Sequence, residues 1–184
     1  MRVKDHWRIL IDIIMENKCE KVAEIGIWKG GTTRNVLSSP AKEVVKEYWA
    51  IDQWDKYYPG YDRHVSGWSQ ETWDSLYFKT CKLLPYFPQL KVIKMTSVKA
   101  AKLFWKGYFD LVYIDSNHTH DFIKEDIEAW LPLIKQGGVI AGHDYAYCDG
   151  EGGRDRCDVK PVVDDRFGES NIEARDCQVW VKKV

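Results

Sequence analysis

The sequence predicts an α/β fold in which a doubly wound, mostly parallel sheet carries helices on both faces. Three observations predict it. Short apolar runs of strand character alternate with longer helical stretches along the chain. An early strand, Lys21-Val-Ala-Glu-Ile, runs into a glycine turn. Later apolar runs stop abruptly in Asp and His, as the carboxyl ends of parallel strands do at a functional edge.

Taken in order, a first helix is expected over residues 5–17, where an amphipathic stretch is interrupted by Asp12, and a strand over 21–27. Thr32 or Thr33 can open the next helix, 32–37, as its N-cap. A strand at 48–51 closes on Asp52, and a helix over 70–84 precedes the third strand, Leu90-Lys-Val-Ile-Lys-Met. A short helix at 98–105 leads to the buried fourth strand, Asp110-Leu-Val-Tyr-Ile-Asp115. A long helix, 122–134, ends before the Gly137-Gly138 turn that introduces a fifth strand at 138–142. The tail adds a helix at 162–167 and closing strands at 171–175 and 178–182. There is no internal repeat or low-complexity linker, so the expected organisation is one domain over 1–184.

Composition narrows the function classes. At 184 residues, 45% hydrophobic and 30% charged, the chain can build one complete core, and that domain must carry both cofactor and substrate. A formal net charge of -1 leaves no basic footprint for nucleic acid. Neither a signal peptide nor a membrane span is read, so the expected setting is cytoplasmic, with a small-molecule or carbohydrate acceptor as partner and a homodimer left open. Five cysteines without framework spacing suit reduced thiols.

The segment Val22-Ala-Glu24-Ile-Gly26-Ile-Trp-Lys-Gly30-Gly31-Thr32-Thr33 is built to approach a ligand closely with its backbone. A dinucleotide fingerprint wants a second glycine two residues after the first, where this chain has Trp28, and no phosphate-loop lysine follows Gly31. Asp52, closing the next strand, is a carboxylate suitably placed for ribose hydroxyls. Glu-x-Gly-x-x-x-Gly-Gly-Thr resembles the first motif of class I S-adenosylmethionine-dependent methyltransferases. The resemblance implies a Rossmann-like, seven-stranded fold with Glu24, Gly26, Gly30 and Thr32 lining the methionyl end of S-adenosyl-L-methionine. It also implies Asp52, with Gln53 beside it, at the ribose, and Ser97-Val98 at the adenine.

Two polar clusters follow strands 4 and 5: Asp115-Ser-Asn-His118-Thr-His120 and His143-Asp144-Tyr145. Adjacent strand ends would bring Asp115 and Asp144 together, and hard oxygen ligands so placed suit Mg2+ or another divalent ion. Such a metal could orient an acceptor hydroxyl and lower its pKa. The whole stretch from Asp110 to Tyr145 is similar to the metal-associated sugar O-methyltransferases and cephalosporin-hydroxylase-like proteins, a methyltransferase family 24 pattern. The resemblance implies a metal held by Asp115, His143 and Asp144. His143 departs from the family's carboxylate, and imidazole is a poor Mg2+ ligand, so a softer ion or no ion is an alternative. His143 is then a candidate general base beside Asp115 and Asp144 as catalytic residues.

Duller readings stand beside these. Asp52 and Asp115 could cap turns, and His118 and His120 are read as backbone-bonding or helix-capping residues. Cys148 and Cys157 match no zinc spacing, and 149–158 reads as a loop over the active edge. The aromatic run Trp54, Tyr57, Tyr58, Tyr61, Trp68, Trp73, Tyr77 and Phe78 could wall an acceptor, cover adenosine or simply pack on the sheet. The reading that results is O-methylation of a sugar or glycosylated small molecule. Its alternatives are a catechol-type O-methyltransferase and a cofactor-binding partner protein without turnover.

Overall fold

The computed structural model describes residues 5–56, 67–145, 157–176 and 178–184. Its centre is a seven-stranded sheet in the order β3-β2-β1-β4-β5-β7-β6. The strands are β1 (Lys21–Ile25), β2 (Glu47–Asp52), β3 (Leu90–Lys94), β4 (Phe109–Ile114), β5 (Ile134–Gly142), β6 (Glu173–Arg175) and β7 (Val179–Lys183). The first five pair in parallel, and β7 enters antiparallel between β5 and β6. The doubly wound, mostly parallel seven-stranded sheet expected from the sequence is the one observed.

Among the described residues six α-helices flank the sheet: α1 (His6–Asn17), α2 (Gly31–Leu37), α3 (Gln70–Cys81), α4 (Ser97–Ala101), α5 (His120–Trp130) and α6 (Val159–Phe167). Side chains alternate across a strand, so sequence parity assigns each residue to a face. Val22, Tyr48, Ala50, Leu111, Tyr113, Val139 and Ala141 pack with Leu10 and Ile13 of α1, Val36 of α2 and Trp73 of α3. Ala23, Ile25, Ile51, Val112, Ile114 and Ile140 pack on the other face with Ala100 of α4, Ile123, Ile127 and Trp130 of α5 and Val163 of α6. The first parity carries Asp52, the last residue of β2, and Gly26, Asp115 and His143, one step beyond β1, β4 and β5, onto the face of α1, α2 and α3. The sheet thus aims its candidate residues to one side of one edge.

Several boundaries differ from expectation: α3 ends at Cys81 rather than 84, α4 at Ala101 rather than 105, α6 starts at Val159 rather than 162, and three further differences have a plain local cause. The helix expected through residue 134 ends at Trp130, because Pro132 lacks an N–H and its ring opposes helical continuation. Strand β5 then starts at Ile134, before the two glycines, with a register shift against β4 between Phe109 and Leu111. Strand β1 stops at Ile25, since Gly26 has φ +89° and turns the chain away from the sheet. The thiol expectation needs correcting as well: Cys157 is disulfide-bonded, a pairing that linear spacing could not disclose. Among the described residues Cys19 and Cys81 are free thiols.

Candidate active site

The glycine turn is fixed by contacts on both sides. The Gly26 N–H donates to the Ile51 carbonyl at 2.9 Å, and the Asp115 N–H donates to the Ile25 carbonyl at 2.8 Å. A Cβ on Gly26 would overlap the backbone of Asp115 and Ser116, so only glycine lets the turns after β1 and β4 approach this closely. Gly30, at φ +70°, opens α2 and has the Thr80 hydroxyl beside it.

Asp52 ends β2 and half faces this turn. Its Oδ2 accepts the N–H groups of Ile27 and Trp28, each at 2.8 Å, and its Oδ1 accepts the Trp54 N–H at 2.9 Å. Burial raises its pKa against the lowering effect of those N–H donors. The residue read as a ribose ligand therefore also clamps the turn, as the capping alternative anticipated. A carboxylate offers about four lone-pair sites, and the backbone N–H groups of Ile27, Trp28, Trp54 and Gln53 are directed at them. Gln53 follows it, half-buried.

Glu24 lies one layer deeper. Its Oε2 accepts the hydroxyls of Thr33 and Tyr48, both at 2.6 Å, and the residue is 1% exposed. Burial pushes its pKa up to about 8 despite those two bonds. The carboxylate expected to face the cofactor instead ties β1 to β2 and to the first turn of α2. It supports the turn from beneath.

At the ends of β4 and β5 the structure assembles Asp115, His118, His143 and Asp144. The His118 Nε2 lies 2.9 Å from Asp144 Oδ2 as an ion pair without hydrogen-bond alignment. The His143 Nδ1 lies 3.0 Å from the same oxygen and 3.5 Å from Asp115 Oδ1, while its Nε2 lies 3.3 Å from Gln178 Oε1. Asp144 has φ +59°, a left-handed conformation at the strand end that an aspartate tolerates at a cost and that is common where side chains are aimed for function. Burial disfavours a charged ring at His143, but hydrogen bonds and charges from Asp115 and Asp144 outweigh it and push the imidazole up to about 11. Asp144 is also buried, yet the two histidines hold it well below the ordinary carboxylate range. The two carboxylates thus favour the protonated ring at His143, which weighs against the general-base role expected of it.

Helix α1 adds a residue that sequence reasoning missed. His6 Nε2 is 2.9 Å from Thr32 Oγ1 and 3.9 Å from Asp115 Oδ2, and its ring packs on His143 with centroids 4.4 Å apart. Burial lowers its pKa, partly offset by Asp115. A neutral imidazole therefore stands between Thr32 of the cofactor turn and the strand-end carboxylates.

A second candidate donor set stands beside the expected Asp115, His143 and Asp144. One ligand atom each from Asp115, His118 and Asp144 fall within 4.8 Å of one another, whereas His143 serves as counter-ion to the two carboxylates. Two carboxylates and one imidazole fit a divalent ion, and the nitrogen favours Mn2+, Fe2+ or Zn2+ over Mg2+. The His118 ring lies against Asp144, while His120 stands at the start of α5, its N–H donating to Asp158 at 3.0 Å.

Ser97 opens α4, half-buried like Val98, and its hydroxyl accepts the Trp130 Nε1–H at 2.8 Å. Ser97 and Ser116 both bond the buried carboxylate of Asp126, Ser116 at 2.5 Å. Burial pushes Asp126 up to about 6. One sequence signal could have found it: Asp126 is a charged residue on the apolar stripe Ile123, Ile127 and Trp130 of α5. Of the aromatic run, Trp28 and Trp68 stack at 6.2 Å, Trp68 touches Trp73, and Trp54 is fully buried against Tyr77. Tyr57, Tyr58 and Tyr61, and most of the 149–158 loop including Cys148 just before it, lie outside the described residues.

The sequence profile of a methyltransferase-domain family matches residues 23–145. None of the curated proteins compared matches the sequence. Among solved structures, the chain is similar to one described as a caffeoyl-CoA O-methyltransferase from Staphylococcus aureus, at 12% identity and TM-score 0.69, covering 100% of this chain and 84% of that one. It is similar to a methyltransferase of Podospora anserina bound to S-adenosylhomocysteine, at 14% identity and TM-score 0.62, covering 97% and 78%. It also resembles a spermidine synthase from Thermotoga maritima, at 17% identity and TM-score 0.59, covering 97% of this chain but 58% of that chain. Such distant likenesses establish the fold, and the profile establishes the family.

Proposed function

The chain belongs to this methyltransferase-domain family and is an S-adenosylmethionine-dependent methyltransferase, and from that premise we propose that it methylates a hydroxyl oxygen of a sugar or glycosylated small molecule. The observation that carries the reading is the pairing of Asp115 and Asp144 with His118 at the sheet edge where the glycine turn of β1 meets the end of β4. That edge lies where the strand order reverses between β1 and β4, the usual ligand crevice of an open α/β sheet.

Methyl transfer from a sulfonium needs in-line placement and removal of one proton. The acceptor oxygen forms a bond to the methyl carbon as the carbon–sulfur bond breaks, its electron pair going to sulfur, and the hydroxyl proton leaves to a base. In this reading His6 takes that proton, because His143 is already protonated and bonded to carboxylates. Thr32 and the Gly26 turn hold the methionyl end, and Asp52 the ribose. A divalent ion held by Asp115, His118 and Asp144 would supply Lewis acidity and orientation to the acceptor oxygens.

The experiment is a turnover assay of S-adenosylhomocysteine release with a panel of alkyl glycosides, nucleotide sugars and catechol, each with chelator, Mg2+ or Mn2+. Turnover on a glycoside supports the reading. Turnover on catechol alone selects the second reading, favoured by the fold likeness to a protein described as a caffeoyl-CoA O-methyltransferase and by the exposed Trp28 stacked on the half-buried Trp68. Metal-independent turnover would remove the ion while leaving the methyltransferase.

A further inference from the structure

At the end of the sheet opposite the candidate site, the turn between α4 and β4 exposes two large apolar side chains. Trp105 is 67% exposed and Leu103 58%. The turn is anchored from behind. The Trp105 ring meets Tyr108 edge-on at 4.5 Å, and Phe104 packs on Trp49, Phe109 and Trp130. The Leu103 N–H donates to the Ala100 carbonyl at 3.0 Å, and the Gly107 N–H to the Pro132 carbonyl at 3.2 Å. The exposure is therefore built into the fold.

Lysines surround these two side chains. Lys102 and Lys106 flank them in the chain, both exposed. The Lys21 Nζ lies 4.3 Å from the centre of the Tyr108 ring, and the Lys91 Nζ 5.6 Å from that of Trp49. The carboxylates bonded into the cluster are engaged: Glu47 accepts the Tyr108 hydroxyl at 2.5 Å and the Trp49 Nε1–H at 3.1 Å, and Asp110 pairs with Lys135. The patch is thus cationic around an apolar tip, on a chain whose formal net charge is -1. A twofold contact with a second copy would set these lysines against their own counterparts. A peptide partner wants a groove, and side chains this exposed stand out from the surface instead of walling one. An anionic bilayer answers both features, taking the ammonium groups at its headgroups and the indole and leucine at the acyl boundary.

We propose that the turn over 102–106 docks the protein on an anionic lipid surface, with Trp105 and Leu103 entering the headgroup layer. Strand β4 separates this turn from Asp115 by about 20 Å, so the docked protein presents its candidate active edge away from the bilayer. The inference does not depend on the identity of the acceptor.

Vesicle co-sedimentation and analytical ultracentrifugation of the full chain test it, with vesicles of phosphatidylcholine alone and of phosphatidylcholine mixed equally with phosphatidylglycerol. Wild type should bind the mixed vesicles about tenfold more tightly than the neutral ones, and high salt should weaken that binding. Trp105→Ala should bind them about tenfold more weakly, as should the double variant Lys102→Gln with Lys106→Gln, while both keep the wild-type circular dichroism spectrum. Wild type that binds neither vesicle, or both alike, overturns the proposal, and so does equal binding of the mixed vesicles by wild type and Trp105→Ala. A dimer that Trp105→Ala dissolves, without vesicle binding by wild type, would overturn it in favour of a second copy on the patch.

Discussion

Asp52 holds Trp28 in a left-handed conformation: the Trp28 N–H donates to Asp52 Oδ2 at 2.8 Å, and Trp28 has φ +48°. The Trp28 carbonyl in turn accepts the Trp54 Nε1–H at 3.0 Å. An indole that is 46% exposed is thus fixed by its backbone, next to the turn that approaches the cofactor. Removing the carboxylate releases the turn and, with it, the ribose contact proposed for Asp52.

Asp52→Ala should therefore lose S-adenosylhomocysteine binding by calorimetry and destabilise the domain by about 3 kcal/mol in urea unfolding, the scale of orphaning several buried N–H groups. Asp52→Asn keeps an acceptor oxygen and should fold better while still binding weakly. Wild-type affinity in the alanine variant would remove Asp52 from the cofactor site.

Glu24 makes stability depend on pH. Its folded carboxyl keeps a proton to about pH 8, whereas the ordinary value is 4.5, so between these the native state binds more protons than the unfolded one. The stability tied to the protonated form is complete below pH 4.5 and is lost as pH rises through 8, with a slope approaching about 1.4 kcal/mol per pH unit. Glu24→Gln keeps both hydroxyl neighbours supplied with an acceptor and should flatten the denaturation profile between pH 6 and 8. An unchanged profile would show that Glu24 is ionised in the fold.

Asp126→Leu should separate the two serine-bearing segments. The expected result is a loss of about 2 kcal/mol in stability, from two uncompensated hydroxyls, together with weaker binding of adenosine-containing ligands. Asp126→Asn retains one acceptor and should recover much of the binding. Equal stability loss with unaltered S-adenosylhomocysteine affinity would confine Asp126 to holding α4 against α5.

Much of this arrangement is legible in the sequence because strand parity and strand ends are local properties. Leu111, Tyr113 and Asp115 share a face simply by spacing, as do Val139, Ala141 and His143, and the glycine turn announces a close approach before its neighbour is known. What stays hidden is which polar groups consume one another. Glu24 and Asp52 both look like ligand carboxylates, yet one is spent on Thr33 and Tyr48 and the other also holds backbone N–H groups. His6 lies 26 residues from Thr32 and on a different element, so no motif links them. A proposed exchange of roles between His118 and His143 is hidden for a similar reason, since both rings reach the same Asp144 oxygen from different loops.

That exchange gives a test of the cation site. If Asp115, His118 and Asp144 supply the ligand atoms, His118→Ala should weaken Mn2+ binding by about tenfold or more, as loss of one of three protein ligands does. His143→Gln should not weaken it, because the ion competes with the His143 imidazolium for the same two carboxylates. Nitrogen-resolved NMR of the metal-free protein should show His143 protonated from pH 6 to 9, while His6 titrates below its ordinary 6.5. Because the folded His143 value is raised, its contribution to stability is complete below pH 6.5 and is lost as pH rises toward 11. The Asp144 shift is the same interaction seen from its partner and is counted once. Mn2+ affinity that falls in His143→Gln and survives in His118→Ala would return His143 to the ligand set.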